Sequence, residues 1–209
     1  MNPRPADLDT RGKLVAAAAH LFARRGIESV PLRDVGEFAG QRNASVVQYY
    51  FGGGRWDLVA AVFDWQTTAV AAPEPAAPAA IDEIVAHFID QVGAGLTTPG
   101  GRDFLRILFE VMSRFPSRFH GGAPGHHEWM VAVDRMVAAL DGMPAAIARA
   151  RVVAMSQMVI HQMAARARAI DDGGSLALDD ETFLDNLQRM AAGMLTAPNR
   201  QDPPPTAPL

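Results

Sequence analysis

Residues 32–51 read LRDVGEFAGQRNASVVQYYF, and this stretch decides the fold. Leu32, Val35, Phe38 and Ala39 recur on one face of a short helix that opens near Pro31, a residue suited to a first helical turn. Ala39-Gly40 supplies a turn, and a third short helix follows from about Arg42 to Tyr50, until Gly52-Gly53-Gly54 breaks it. Two short helices about a glycine turn form a helix-turn-helix pattern, in which the second helix can lie in a major groove. At about 100° per residue, Ala44, Val47 and Phe51 gather inward; Arg42, Ser45, Val46 and Tyr49 point away, flanked by Asn43, Gln48 and Tyr50. The outward set has guanidinium, amide, hydroxyl and phenol groups and no acid. Arginine matches guanine O6/N7 and Asn or Gln matches adenine N6/N7, so this surface holds the donors that base edges require. A short polar helix in any helical bundle is the plainer reading, and spacing alone leaves both open.

Working outward, Leu14, Ala17, Ala18, Leu21 and Phe22 follow a helical period from Thr10. Asp9 or Thr10 can cap its start, Arg24-Arg25 suit the negative end of its dipole, and Gly26 suits a left-handed stop. Met1–Asp9, with two prolines and no period, reads as a mobile arm. On the other side a helix runs from Arg55 to about Val70, carrying Leu58, Val59, Val62 and Phe63. Ala71–Ala80 (AAPEPAAPAA) is a poorly ordered connection. Helical segments follow over Ile81–Leu96, Arg102–Phe115, Glu128–Leu140, Pro144–Ile170 and Asp179–Leu195, some parted by Pro116–His127 and by Gly173-Gly174. Thr196–Leu209, with three consecutive prolines, reads as a disordered tail. No alternating run looks like a strand, so the expected class is all-α: residues 1–54 a DNA-binding unit, 55–195 a helical body, 196–209 a tail.

The chain has 209 residues, 19 Lys+Arg against 23 Asp+Glu, and no cysteine. The missing thiol removes disulfides, thiolate catalysis and cysteine-based zinc sites, and fits a reducing cytoplasm. No charge-free run reaches the roughly 18 residues of a membrane span; Val152–Ala165 is the longest plausible one. Leu14–Ala23 imitates a secretory leader but is mostly alanine, holds His20 and runs into two arginines, so it is read as an ordinary helix. The charge is divided. Residues 1–55 hold eight basic and five acidic groups, a net +3, whereas the rest holds eleven basic and eighteen acidic groups, a net −7. A basic head on an acidic body is the asymmetry expected when one part faces phosphates.

Over Thr10–Phe63, AAAAHLFARRGIESVPLRDVGEFAG followed by QRNASVVQYYF and a helix opening at Arg55 resembles the DNA-binding domain of TetR-type transcriptional regulators. Ala18, Leu21-Phe22, Gly26, Val35, Ala39-Gly40, Val47 and Tyr50-Phe51 carry the resemblance, over about a quarter of the chain. It implies a helix-turn-helix domain and a helical effector-binding and dimerisation domain, in a repressor that leaves a palindromic operator when a small apolar effector binds. Arg33 would hold a phosphate; Gln41, Arg42, Asn43, Ser45 and Val46 would open the recognition helix; Gln48, Tyr49 and Tyr50 would lie against bases or backbone; Arg55 would reach a phosphate at the footprint's edge. Three features depart from the family pattern. Pro31-Leu32 stands where Thr or Ser is usual, the segment entering the recognition helix is one residue longer, and Gln48 occupies the usual tyrosine position. A third glycine in Gly52–Gly54 also lengthens the next turn.

In the body the resemblance implies a small-molecule site and pairing of two chains through the last two helices. Val152, Met155, Val159 and Met163 line one side of the eighth helix, and Phe183, Leu184, Leu187, Met190 and Leu195 the ninth. These stripes suit a four-helix interface or a monomer's own core. Phe88, Phe109, Met112, Trp129, Met155, Met158 and His161 are the candidate lining of an effector cavity, with ordinary core packing as the alternative. His87 and His161, within apolar stretches, read as interior histidines. His126-His127-Glu128 lacks metal-ligand spacing, so no metal or cofactor is expected. There is no nucleophile elbow and no phosphate-cradling loop after a strand, so no enzyme is expected. A helical protein-interaction adaptor and a regulator that activates transcription are the rival readings.

Overall fold

The computed structural model describes residues 8–43, 45–52, 54–70, 80–116 and 126–198. The readings of residues 1–7 as an arm, 71–79 as a connection, 117–125 as a separator and 199–209 as a tail lie outside them, as do the inward placement of Ala44 and the middle glycine of Gly52–Gly54. The described residues contain nine α-helices and no strand: α1 (Thr10–Arg25), α2 (Leu32–Phe38), α3 (Val46–Phe51), α4 (Arg55–Val70), α5 (Ile81–Gly93), α6 (Pro99–Arg114), α7 (His126–Ala138), α8 (Ala145–Asp171) and α9 (Asp180–Thr196). A 3-10 turn over Ala94–Thr97 joins α5 to α6. No helix among them is long and apolar enough to cross a membrane.

Local chemistry sets the helix ends. Asp9 caps α1, its Oδ1 accepting the Gly12 N–H at 2.7 Å, and Gly26 ends it at φ 85° with its own N–H on the Phe22 carbonyl. Thr98 caps α6 ahead of Pro99, and Asp179 caps α9 by accepting the Thr182 N–H at 2.8 Å. Pro31 stands at the cap of α2, one place before the first turn where the sequence reading set it. A Cβ on Gly101 would lie 2.8 Å from the Gly95 Cα, so the entry to α6 closes against the 3-10 turn only with glycine there.

Two cores form, and α6 belongs to both. The first gathers Leu14, Ala18, Leu21 and Phe22 of α1, Ile27, Val30, Val35, Val46, Val47 and Phe51 around the helix-turn-helix, Leu58, Val59, Val62 and Phe63 of α4, and Ile107 and Val111 of α6. The second collects Ile84, Val85 and Ile89 of α5, Leu105 of α6, Val133 and Met136 of α7, Val152, Met155, Val159 and Met163 of α8, and Leu187, Ala191 and Leu195 of α9. Of the two readings of the α8 stripe, interface or the chain's own core, the core holds: α5, α6, α7 and α9 enclose it, and all four of its residues have no exposed surface.

Polar contacts tie the first core to α6 and to the end of α8. Both Glu110 carboxylate oxygens accept the Ile27 N–H. The His20 Nδ1 lies 3.3 Å from Asp103 Oδ2. Asp171, last residue of α8, pairs with Arg102 at 2.6 Å, Arg106 at 2.7 Å and Arg24 at 3.6 Å. Burial pushes the Asp171 carboxyl up, but the Arg102 hydrogen bond and the charges of Arg102, Arg106 and Arg24 outweigh it and hold it below its ordinary range.

Candidate nucleic-acid interface

The turn into α3 differs from the sequence reading. Residues 41–43 are not helical, and α3 begins at Val46. The cause is Asn43: its Oδ1 accepts the Ser45 N–H at 2.9 Å and its carbonyl accepts the Val46 N–H at 3.1 Å, giving the backbone an alternative to an earlier helical turn. Gln41, Arg42, Asn43 and Ser45 thus stand on the approach to the helix, with Ser45 at its cap. Arg42, Asn43 and Ser45 are exposed, while Gln41 is half-buried and bonded through Nε2 to the Ala39 carbonyl.

Val46, expected on the outer face, is 8% exposed. It packs where α3 crosses α2 at Gly36: a Cβ on Gly36 would come within 3.3 Å of Val46 Cγ1. Gly36 is buried accordingly, and Phe38, expected in the buried stripe of α2, is instead 59% exposed and stacks on His20 at 5.2 Å. Gln48, Tyr49 and Tyr50 do face outward. Tyr49 is 82% exposed and meets Tyr50 edge-on at 5.1 Å, so the two phenols form one aromatic ridge. Arg33 is exposed, bonded only loosely to Asp34 at 3.4 Å, and Asp34 is also met by Arg25 at 3.5 Å.

Arg55 turns inward. Its Nη1 donates to the Val30 carbonyl at 2.6 Å and to the Ile27 carbonyl, pinning the α1–α2 turn to the start of α4. A guanidinium committed to two carbonyls does not reach for a phosphate in this conformation. Arg11, outside the residues that the helix-turn-helix pattern singles out, is exposed with its guanidinium 5.3 Å above the Phe51 ring, beside the end of α3. Its place in the opening turn of α1 was the available signal; its proximity to α3 depends on packing that periodicity does not report.

The candidate effector residues are split among several places. Phe88 and Trp129 meet at 5.9 Å, and these two, with Met155 and Met158, belong to the second core; Met155 is fully buried and Met158 half-buried. Met112 packs on the first core, which Trp129 also touches. Phe109 faces His161 at 5.0 Å under Arg168. His161 is exposed, which corrects its reading as interior, because it lies on the side of α8 opposite Val159 and Met163. His87 is half-buried, with Nε2 at 2.9 Å from Gln91 Nε2.

No family model matches the chain, and no curated protein matches it. Among solved structures, one assigned to the TetR family of transcriptional regulators, from Rhodococcus sp., superimposes with a TM-score of 0.63 over 90% of this chain and 99% of its own, at 14% identity. A TetR-family regulator from Streptomyces coelicolor A3 is 21% identical, covering 94% and 99% of the two chains, but its TM-score of 0.34 carries no argument. The chain thus has the fold of the TetR-family regulators: an N-terminal helix-turn-helix unit on a helical body. The resemblance read in Thr10–Phe63 and the architecture of the chain point to the same fold.

Proposed function

We propose that the chain is a sequence-specific DNA-binding transcriptional regulator acting in the cytoplasm as a homodimer, with no reaction of its own. The observation that carries this is the exposed, acid-free face of α3, where Gln48, Tyr49 and Tyr50 stand out beyond the buried Val46 and Val47. In this reading α3 enters the major groove with Gln48 and Tyr49 at base edges, and Arg33, Gln41, Arg42, Asn43, Ser45 and Tyr50 hold phosphates or adjacent bases. Val46 supports the helix from inside, and Arg55 fixes the turn beneath it.

Residues 55–195 would pair the two chains and receive a small apolar effector. The outward sides of α8 and α9, where Ile147, His161 and Met190 are exposed, suit such pairing better than the enclosed stripe. Recognition helices of a dimer must sit about 34–36 Å apart to enter successive major grooves. An effector preferring another spacing releases the operator by its differential affinity for the two states, which makes the protein a repressor.

Selection of bound sites from random duplex DNA tests the reading. A palindromic consensus, with binding that weakens steeply as salt rises, is the expected result. Enrichment of no duplex by a folded, paired protein overturns it and favours a protein-interaction adaptor. A selected operator whose occupancy raises transcription keeps the DNA-binding reading and makes the protein an activator.

A further inference from the structure

The junction between the helix-turn-helix head and the body holds a titratable pair that the proposed function does not use. His20 projects from α1 and Asp103 from α6, with Nδ1 and Oδ2 3.3 Å apart. The two ends of the contact differ in their access to water. The imidazole is 38% exposed and can exchange a proton with solvent, whereas the carboxylate is 6% exposed. Asp103 Oδ1 makes no hydrogen bond among the described residues, and the nearest cation, Arg106 Nη1, stands 3.6 Å away while its Nη2 is spent on Asp171 and the Ala167 carbonyl. The buried anion is therefore incompletely compensated, and an added positive charge at His20 acts on it through a poorly screened interior.

The other charged groups nearby are already engaged or exposed. On α1 itself, Arg24 pairs with Asp171 of α8; on α6, Arg102 does the same. From α2, the Phe38 ring covers the imidazole face, Asp34 is bonded to Arg25 and Arg33, and Glu37 is exposed. On α4, Arg55 is turned onto the Ile27 and Val30 carbonyls, and Asp57 and Asp64 are exposed.

We propose that His20 and Asp103 form a proton-gated clasp between head and body, closed when the imidazole is charged and the carboxylate ionised, and loosened when the imidazole is neutral. A histidine gains its charge when it takes up a proton, so the clasp tightens as the imidazole is protonated. Burial holds the Asp103 carboxyl above its ordinary range, against the charges of His20, Arg24 and Arg106. If the DNA-binding reading above is right, the tilt of each head against its body sets the spacing of the two recognition helices, and the clasp makes operator affinity depend on pH.

The test needs no DNA, so its failure and the failure of the DNA-binding reading are separate events. The chain has no native cysteine, and Glu28 in the head and Glu83 on α5 are exposed. Spin labels on Glu28→Cys and Glu83→Cys, in full-length protein diluted with unlabelled chain, report the head-to-body distance by dipolar spectroscopy. Between about pH 8 and about pH 6 the distribution of the otherwise unsubstituted protein should narrow. The narrowing should be lost in His20→Gln, which keeps a hydrogen-bond donor but no titration, and in Asp103→Asn. An unchanged distribution in the parent protein, or the same narrowing in either variant, overturns the proposal. Should one variant fail to fold, the other decides.

Discussion

The Glu110 side chain on α6 accepts the backbone N–H of Ile27 through both carboxylate oxygens, at 3.1 and 3.2 Å. A body helix thereby satisfies a donor in the turn between the first two helices of the head. Glu110→Ala leaves that donor unpaired, and hydrogen bonds to charged groups are worth about 1.5–3 kcal/mol. Urea unfolding of Glu110→Ala should show a loss of that order, and Glu110→Gln, which keeps an acceptor, a smaller one. Equal stability of all three proteins would show that the contact contributes nothing.

Arg55 offers a test that separates structure from DNA contact. Its guanidinium sits on the Ile27 and Val30 carbonyls, so Arg55→Ala should lower the melting temperature and leave the salt dependence of operator binding unchanged. A direct phosphate contact would do the reverse, cutting the log–log salt slope by about one unit with little effect on stability.

Tyr49 and Val46 are three residues apart on α3 yet differ in role. Tyr49→Ala, at a position 82% exposed, should leave stability within about 0.5 kcal/mol and weaken binding to a selected operator by about 1–3 kcal/mol. Val46→Ala should instead destabilise the fold by opening space against Gly36. Paired melting and binding measurements on both variants check this, and full operator affinity in Tyr49→Ala removes the phenol from the reading surface.

Asp171 gives a pH prediction whose sign follows from its environment. Its carboxyl is held below the ordinary range by Arg102, Arg106 and Arg24, so the native state favours the ionised form. The stability it contributes is present above the ordinary carboxylate range and is lost as pH falls through the lowered value. At neutral pH, Asp171→Asn should cost about 3 kcal/mol, since it strips the buried Arg106 of the nearer of its two carboxylate partners. The gap between the two proteins should close in acid. A gap that is constant with pH would mean that the pair's charge is not what stabilises the junction.

The head was legible because its punctuation is local. Asp9 and Gly26 announce the ends of α1, and Gly40, at φ 73°, marks the turn through a conformation that glycine adopts readily. The start of α3 is not legible in the sequence, because Asn43 competes for the backbone through its own side chain, which a 3.6-residue period does not register. Val46 lies inside and Phe38 outside, the reverse of what periodicity implies, for a related reason. Periodicity finds an apolar face, but where α3 crosses α2 at Gly36 decides which residue is covered. In the body, Val152, Met155, Val159 and Met163 read as one apolar stripe, yet a stripe does not say whether its cover comes from the same chain. The exposure of His161 is hidden in the sequence because Val159 and Met163, two residues to either side, lie on the opposite side of α8.

Ile107 and Val111 are buried with the head, while Leu105, on the same helix, is buried with the body. Excision of the leading seventy residues would strip both of those aliphatic groups from the surface they cover, leaving a fragment with a bare oily seam. Grafting that piece onto an unrelated carrier therefore calls for transplanting the matching strip of α6 as well, and chimeras joined simply at the start of α5 should precipitate or bind their neighbours indiscriminately.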